Sequence, residues 1–281
     1  SKMQIMQMVG QWISNPQAVG NAIAFHGPPG TGKTTLVKEG ISKILNRPFA
    51  FLALGGATDS SFLEGHSYTY EGSTWGKIVD ILINCKCMNP VIYFDELDKI
   101  SQTPKGEEIT GILMHLTDTT QNDKFHDKYF SSIDFDLNKC LFIFSYNDES
   151  KINPILKDRM YRIKTGGYDK KQKSVITADY LIPKIAKNVN MKLEDITIPP
   201  GTLEYICEKY TSGEKGVRNL KRCVEIIYTK LNLYRLMKPD SSLFDKEKTL
   251  EVKFPFTVTN EVVDKLLKLN DESGPPMGMY I

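Results

Sequence analysis

Gly27-Pro28-Pro29-Gly30-Thr31-Gly32-Lys33-Thr34 is the segment from which the architecture of this 281-residue chain can be inferred. It fits the phosphate-binding loop pattern, in which a glycine and four further residues precede Gly-Lys and then Ser or Thr. The apolar run Ala22–His26 precedes it and a helical pattern follows, which is the context that such a loop requires. Backbone N–H groups are expected to cradle phosphate oxygens, Lys33 to reach the β- and γ-phosphates, and the Thr34 hydroxyl to ligate Mg²⁺. The predicted nucleotide-binding residues of the loop are Gly27, Pro28, Pro29, Gly30, Thr31, Gly32, Lys33, Thr34 and Thr35.

A second motif follows where the apolar run Val91–Phe94 ends in Asp95 and Glu96. A buried strand that delivers two carboxylates beside a phosphate loop makes a site for a metal ion and a water molecule. Asp95 is predicted to hold Mg²⁺ through water, and Glu96 to orient or deprotonate the attacking water. A binding-only switch needs the first carboxylate and not the second, so Glu96 favours a hydrolase.

Short apolar runs alternate with helical patterns in the first part of the chain. A helix is predicted between the first two runs, because Val37, Ile41, Ile44 and Leu45 recur at helical spacing and Pro48 lies just past them. Strands that alternate with helices predict a parallel sheet covered on both faces, and therefore an α/β fold. The predicted strands are Ala22–His26, Phe49–Leu54, Val91–Phe94, Cys140–Ser145 and Tyr161–Lys164.

The pattern changes at Thr165-Gly166-Gly167, which reads as a break between domains. The residues that follow are mainly helical. One apolar face comprises Leu203, Ile206, Cys207 and Tyr210, behind Pro199-Pro200-Gly201 and a predicted cap at Thr202; another comprises Val217, Leu220, Val224, Ile227 and Leu231. We therefore predict an α/β nucleotide-binding domain over 1–166, a small helical domain over 167–270 and a tail or linker over 271–281.

Composition indicates a globular protein, with 41% hydrophobic and 25% charged residues. The net charge of +2 is weak for a dedicated nucleic-acid binder. The longest apolar run, Phe49–Leu54, is too short for a membrane span, and no signal peptide is visible, so we expect a cytoplasmic protein that contacts no membrane. Five cysteines in odd number predict reduced thiols, and their spacing predicts no structural metal site. The chain begins with Ser1 rather than Met, which we interpret as the start of a fragment.

Taken together, these motifs resemble the AAA+ module of Lon proteases over about Gly20 to Asp271. The resemblance rests on the phosphate loop and on stretches whose order is particular to that family. They are Leu54-Gly55-Gly56-Ala57, Glu64-Gly65-His66, Thr69-Tyr70-Glu71-Gly72, Gly76-Lys77-Ile78, Asn89-Pro90-Val91, Asp95-Glu96-Leu97-Asp98-Lys99, Phe125-His126-Asp127-Lys128-Tyr129, Leu156-Lys157-Asp158-Arg159-Met160, Gly167-Tyr168 and Gly216-Val217-Arg218-Asn219-Leu220.

The resemblance implies roles for residues outside the two motifs. Asn147 matches the sensor that positions the attacking water, and Arg159 matches the finger that reaches ATP in a neighbouring subunit, which implies a homo-oligomeric ring, by resemblance a hexamer. The alternative for Arg159 is an ion pair with Asp158 or another surface carboxylate. Arg218 matches a second sensor; its place in a first helical turn disfavours a cation and favours an anionic partner, although plain solvation is the alternative. Tyr168 matches an adenine-pocket residue, or else packs in the hinge.

Tyr70 matches the aromatic residue of the loop that grips an unfolded protein chain. Glu71 departs from the family, because the residue after this aromatic is usually apolar; a carboxylate there would favour basic substrate segments. The alternative is a Tyr70 side chain that packs against its own loop.

The sequence therefore predicts a Lon-like motor that hydrolyses ATP with Mg²⁺ and unfolds or translocates protein. No Ser/Lys peptidase pair is expected in this chain, because too few residues follow Asp271 to form that domain. A nucleic-acid-directed ATPase, such as a loader or helicase, is the alternative; a nucleotide-binding scaffold without turnover is a third. The nucleic-acid alternative draws on a locally basic stretch made of Lys221, Arg222, Lys230, Arg235 and Lys238.

Overall fold

The computed structural model describes residues 2–15, 22–236, 250 and 252–268. The predicted tail 271–281 and Lys238 lie outside these ranges. The described residues form two compact units: one lies within Ser1–Pro28 and Gly32–Gly166, and the other lies within Pro29–Thr31 and Gly167–Ile281. The two units are described separately below.

A five-stranded parallel sheet forms the centre of the first unit. All five strands were predicted from the sequence, and their ends differ from the prediction by one residue at most. The strands are β1 (Ala22–His26), β2 (Phe49–Ala53), β3 (Val91–Asp95), β6 (Leu141–Tyr146) and β7 (Tyr161–Lys164). Their order across the sheet is β2-β3-β6-β1-β7.

Helices cover both faces of this sheet. A small antiparallel pair, β4 (Phe125–His126) with β5 (Asp134–Phe135), was not predicted, because two-residue strands carry no readable alternation. The helices of the unit are α1 (Lys2–Ser14), α2 (Lys33–Thr35), α3 (Ser42–Ile44), α4 (Ser61–Glu64), α5 (Lys77–Cys85), α6 (Pro104–Thr117) and α7 (Pro154–Asp158).

Strand residues alternate between two apolar layers. In β3, Ile92 and Phe94 belong to the layer formed with α5 and α6, whereas Val91 and Tyr93 belong to the layer that includes Val9 of α1. Burial on both faces explains why the strands read as continuous apolar runs rather than as alternating patterns. The strands are therefore packed between two apolar layers, and this packing determines where their carboxyl ends lie.

The helix that follows the phosphate loop differs from the prediction at Ile44. Residues Leu36–Ile41 between α2 and α3 form a π-helix, which carries more residues per turn than an α-helix. Val37 and Ile41 are buried as predicted, but Ile44 is 60% exposed. The wider turn rotates Ile44 away from the apolar face that an α-helical period assigns to it.

The second unit is mainly helical, as predicted, and has its own apolar core. Its helices are α8 (Lys170–Ile176), a π-helical segment Thr177–Leu181, α9 (Ile182–Asn188), α10 (Pro200–Tyr210), α11 (Arg218–Leu236) and α12 (Asn260–Lys268), with a short parallel pair β8 (Ile196–Thr197) and β9 (Phe256–Thr257).

The predicted helix cap at Thr202 is wrong. Helix α10 begins at Pro200, so Thr202 lies inside its first turn, where its buried hydroxyl donates to the carbonyl oxygen of Val258 at 3.3 Å. The residues predicted for the apolar face of α11 from Leu220 to Leu231 are all buried. Within the described part of the chain, no helix has the length and apolar character needed to cross a membrane.

Candidate functional site

The carboxyl ends of three neighbouring strands bring four of the predicted catalytic residues of the first unit to one edge of the sheet. Strand β6 lies between β1 and β3, with His26 paired to Tyr146 and Phe94 to Phe144. Because the strands are parallel, the segments after them meet at the same edge. This edge therefore holds Lys33 of the phosphate loop together with Asp95, Glu96 and Asn147.

Lys33 lies within this edge and bonds back onto its own loop. Its Nζ donates to the carbonyl oxygens of Gly27 at 2.8 Å and Pro28 at 3.1 Å. It also donates to Oδ1 of Asn147 at 2.9 Å. The lysine predicted from the loop motif and the asparagine assigned through the resemblance are therefore in direct contact, although 114 residues separate them in sequence.

A hydroxyl cluster that the sequence analysis did not identify links the loop helix to Asp95. The Thr34 hydroxyl and the Tyr93 hydroxyl lie 3.2 Å apart, and the Ser145 hydroxyl donates to Oδ1 of Asp95. Burial raises the pKa of Tyr93, so this phenol stays protonated at neutral pH. The only sign of this cluster in the sequence was that each of two apolar runs contains a hydroxyl-bearing residue, Tyr93 in one and Ser145 in the other.

Thr34 and Asp95 offer oxygen atoms of the kind that Mg²⁺ prefers. The Asp95 bonds to Ser145 and to the backbone N–H of Glu96 both fall on Oδ1. Among the described residues, no recorded hydrogen bond reaches Asp95 Oδ2. This oxygen and the Thr34 hydroxyl fit a magnesium ion that keeps several of its waters.

Glu96 lies directly after β3 and adopts a left-handed backbone conformation with φ of 60°. This conformation is uncommon for residues other than glycine and often marks functional positions. Glu96 is exposed and immediately precedes a 3₁₀ turn formed by Leu97–Lys99. The turn projects the carboxylate from the sheet edge rather than into the core.

The phosphate loop has a glycine just before α2, and the reason is steric. Gly32 is the residue that precedes α2 and has φ of 83°, a conformation that costs energy for residues with a Cβ atom. Its carbonyl oxygen accepts from the backbone N–H of Leu36 at 2.9 Å. Thr35 is exposed on the first turn, where the positive end of the helix dipole favours an anion.

Tyr168 and Arg218 belong to the second unit, which also includes Pro29–Thr31. The Tyr168 hydroxyl donates to the carbonyl oxygen of Thr31 at 2.8 Å. Arg218 is the exposed first residue of α11, as the sequence predicted. Glu214 accepts from the backbone N–H groups of Arg218 and Asn219, so a carboxylate already balances the dipole of this helix. The position of Arg218 alone therefore does not require a nucleotide.

Arg159 follows α7 and is bound within its own unit. Its Nη2 lies 3.2 Å from Oδ2 of Asp118, and its Nη1 donates to the carbonyl oxygen of Met114 at 2.7 Å. The carboxylate that pairs with Arg159 is therefore Asp118, at the end of α6, rather than Asp158.

The loop between α4 and α5 exposes Tyr70 and Glu71 to solvent. The Tyr70 side chain is 70% exposed, so it does not pack against its own loop. The loop is closed at its base, where the backbone N–H of His66 donates to the carbonyl oxygen of Thr74 at 3.0 Å. The buried carboxylate of Asp127 accepts from the N–H groups of Gly76 and Tyr129 and anchors that base.

The cysteines form no disulfides: Cys85, Cys87, Cys140, Cys207 and Cys223 are all free thiols. Burial raises the pKa of the Cys140 thiol to about 12, which makes it a poor nucleophile. In the described residues, no cluster of three or more His, Cys, Asp or Glu side chains could hold a metal ion.

Comparison with known proteins agrees with this geometry. Residues 23–167 match the family described as "ATPase family associated with various cellular activities (AAA)". A Lon protease homolog of Acanthamoeba polyphaga mimivirus is 41% identical in an alignment over 264 residues that covers 89% of this chain and 26% of that protein. Lon protease of Campylobacter concisus (strain 13826) is 40% identical over 223 residues, which are 79% of this chain and 27% of that protein. The chain thus spans about a quarter of the length of these relatives, and the predicted resemblance to the Lon AAA+ module is confirmed.

The fold is also shared with more distant proteins. The structure of the Thermotoga maritima RuvB Holliday junction branch migration motor superposes with a TM-score of 0.60 at 13% identity, covering 95% of this chain and 67% of that one. At this identity the likeness concerns the fold alone. The predicted fold class, a parallel α/β domain with a phosphate loop followed by a helical part, is confirmed.

Proposed function

The chain belongs to the AAA family of ATPases, and on this premise we propose that it is a Lon-like motor module that couples Mg²⁺-dependent ATP hydrolysis to the unfolding or translocation of protein chains. The observation that carries the proposal is the contact between Lys33 Nζ and Asn147 Oδ1 at 2.9 Å, beside Asp95 and Glu96. A phosphate-binding cation, a polar sensor and two carboxylates then meet at one sheet edge. This set suits phosphoryl transfer to water.

Each residue at the edge would act through ordinary chemistry. Lys33 would exchange its bonds to Gly27 and Pro28 for bonds to phosphate oxygens, because a charged acceptor binds an ammonium group more strongly than a carbonyl does. Thr34 and Asp95 would hold Mg²⁺, which would neutralise charge on the phosphates. Glu96 would accept a proton from the attacking water, and Asn147 would orient that water.

Assembly into a ring, with a hexamer as the expected size, is the second part of the proposal. Arg159 is exposed and follows α7, so it can reach beyond its own chain once it leaves Asp118. A cation that approaches the γ-phosphate from a neighbour stabilises the charge of the transition state. In the second unit, Arg218 is proposed to bind the phosphates and Tyr168 to contact the adenine.

The proposed protein substrate would meet Tyr70 and Glu71. A 70%-exposed aromatic side chain on an anchored loop can grip an extended chain. Glu71 would add a preference for basic segments through charge attraction. The free cysteines support a reducing compartment such as the cytoplasm.

Two lysines of the basic stretch that supports the nucleic-acid alternative already bond to other residues of the chain. Lys221 Nζ lies 3.3 Å from Oε1 of Glu225, and Lys230 donates to the carbonyl oxygen of Leu266. The Glu225 carboxylate offsets the charge of Lys221, and the bond to Leu266 holds the Lys230 ammonium group against its own chain. We therefore favour a protein substrate, and DNA-stimulated ATPase activity that falls steeply with salt would reverse this preference.

The decisive experiment measures ATP binding and steady-state hydrolysis for the chain and two variants. Lys33→Ala is expected to abolish ATP binding, because no other charged side chain of the phosphate loop can replace the ammonium group. Glu96→Gln is expected to bind ATP and to stop turnover. Hydrolysis by Glu96→Gln at the parental rate would refute the assignment.

A concentration series tests the ring. Specific activity should rise with protein concentration, in step with assembly followed by light scattering, and Arg159→Ala should lose activity while ATP still binds. Activity that is independent of concentration and of Arg159 would instead indicate a monomeric hydrolase.

A further inference from the structure

Gly55 lies beside Glu96, although 41 positions of sequence separate them. Strands β2 and β3 pair Ala53 with Asp95, and the backbone N–H of Leu54 donates to the carbonyl oxygen of Asp95 at 2.9 Å. This bond extends the pairing by one residue beyond the strand. The chain just after β2 is therefore fixed against the chain just after β3, where Glu96 adopts its left-handed conformation.

The approach between these two residues leaves no room for a side chain at position 55. A Cβ atom on Gly55 would lie 2.4 Å from Oε2 of Glu96 and 3.5 Å from its Cδ, with Lys99 Cβ at 3.4 Å on the same side. The following glycine is different, because a Cβ atom on Gly56 would meet nothing within 4 Å. Of the two glycines, only Gly55 must therefore lack a side chain for the Glu96 carboxylate to keep its position.

We propose that Gly55 is a positioning residue for the Glu96 carboxylate, and that its missing side chain defines the place from which this carboxylate acts on water. This inference rests on the proposed function, in which Glu96 is the base. The backbone of Gly55 forms one wall of the space that Oε2 occupies. A methyl group there would push the carboxylate away, and a displacement of about 1 Å at a reacting group can cost roughly a hundredfold in rate.

The fold should tolerate this change. The atom that a new methyl group meets first is the end of an exposed, flexible side chain, so Glu96 can rotate away without disturbing the core. Neither Gly55 nor Gly56 has a φ in the left-handed range, so alanine is compatible with both backbones. The loss of freedom in the unfolded chain is also the same for both substitutions. Gly56→Ala is therefore a matched control.

The test compares Gly55→Ala with Gly56→Ala in ATP binding, thermal unfolding and steady-state ATP hydrolysis. For Gly55→Ala we expect a kcat lowered by about a hundredfold, with a KM for ATP and an unfolding temperature close to those of the parent. For Gly56→Ala we expect parental values throughout. A parental kcat for Gly55→Ala, or an equal loss in both variants, would overturn the proposal.

The double variant Gly55→Ala/Glu96→Gln shows whether the effect passes through the glutamate. We expect its residual rate of ATP hydrolysis in a single turnover to be no lower than the residual rate of Glu96→Gln alone, because the displaced group is already inactive. A further multiplicative loss would mean that Gly55 acts elsewhere and would overturn the proposal. If Glu96→Gln itself hydrolyses ATP at the parental rate, the proposed function fails, which is a different outcome from a parental rate in Gly55→Ala alone.

Discussion

Arg159 and Asp118 form an ion pair inside one subunit, with Nη2 and Oδ2 3.2 Å apart. The pair joins the residue after α7 to the end of α6, and the bond from Nη1 to the Met114 carbonyl strengthens the same link. A finger that acts on a neighbouring subunit must first give up these contacts. The ion pair therefore competes with the ring proposed above.

Replacing Asp118 should release the arginine. We expect Asp118→Asn to lower the protein concentration at which ATPase activity rises, because Arg159 no longer has to break an ion pair before it can reach a neighbouring subunit. Exposed ion pairs are weak, so the shift should be no more than about fivefold. Activity measured against concentration, with light scattering, gives the value.

Asp158→Asn is the control for this prediction. Asp158 is the neighbour of Arg159 in sequence and is exposed, but the recorded ion pair of Arg159 is made with Asp118. The control should leave the concentration dependence unchanged. An equal shift in both variants would indicate that general loss of negative charge, rather than release of Arg159, drives assembly.

Two substitutions of Asn147 should have different effects on ATP. Asn147→Asp places a carboxylate beside Lys33 Nζ, which now lies 2.9 Å from the amide oxygen, and an ion pair there would hold the lysine away from the phosphates. We expect a clear loss of ATP affinity. Asn147→Ala removes one of the acceptors of Lys33 and also removes the proposed sensor, so ATP affinity should stay near the parental value while turnover falls by about a hundredfold.

Nucleotide-binding titrations and single-turnover rates separate these two outcomes. Similar affinities for both variants would contradict the prediction and would mean that the contact between Lys33 and Asn147 does not compete with the phosphates.

The sequence predicted the parts of this site that depend on local pattern. Short apolar runs located the five strands, and the loop motif located Lys33 and Thr34, because both signals come from residues close together in sequence. The meeting of Lys33 with Asn147 was anticipated only through a family resemblance. Strand order decides such contacts, and a single sequence does not encode strand order in any local pattern.

The parts that were missed depend on distant partners. Asp127 closes the base of a loop through Gly76, 51 residues earlier in the chain. Ile44 was assigned to an apolar face because the π-helical segment Leu36–Ile41 leaves no recognisable mark in the sequence. In both cases tertiary packing selects the outcome, and local pattern is not informative about it.

Acid should weaken the second unit through Asp264. Hydrogen bonds from Tyr210, and then from Lys209 and Tyr205, lower the pKa of this carboxyl from 3.8 to about 2. Because the pKa of Asp264 is lower in the folded chain than in the unfolded chain, the ionised carboxylate stabilises the fold at pH values above the unfolded-state pKa. This stabilisation is lost as the pH falls from about 4 to about 2. The contacts join α10 to α12, with Tyr210 donating at 2.6 Å.

We expect Asp264→Asn to lower the free energy of unfolding by about 1 kcal/mol at pH 7, after allowance for screening of a partly exposed group. The difference from the parent should shrink below about pH 4. Urea unfolding across this pH range measures it, and Asp179→Asn, an exposed carboxylate of the same unit, serves as control. A difference that is constant with pH would show that lost packing, rather than charge, is responsible.

The base of the Tyr70 loop provides the last prediction. Asp127 is fully buried, and its two carboxylate oxygens accept from the backbone N–H groups of Gly76 at 2.8 Å and Tyr129 at 2.9 Å. Asp127→Ala leaves both N–H groups without an acceptor, which should cost roughly 2 to 4 kcal/mol in the free energy of unfolding. Asp123→Ala, in the same region but not buried, should cost far less.

The same variant should separate loop geometry from catalysis. The N–H groups bonded to Asp127 belong to Gly76 and Tyr129, and neither residue is part of the proposed nucleotide site. Folded Asp127→Ala should therefore keep its basal ATPase activity but lose stimulation by an unfolded protein, because the loop that presents Tyr70 is no longer anchored. Tyr70→Ala should lose stimulation without any loss of stability, since its side chain is exposed. Normal stimulation in Asp127→Ala would show that the anchor is structural only, and normal stimulation in Tyr70→Ala would remove this loop from the proposed substrate path.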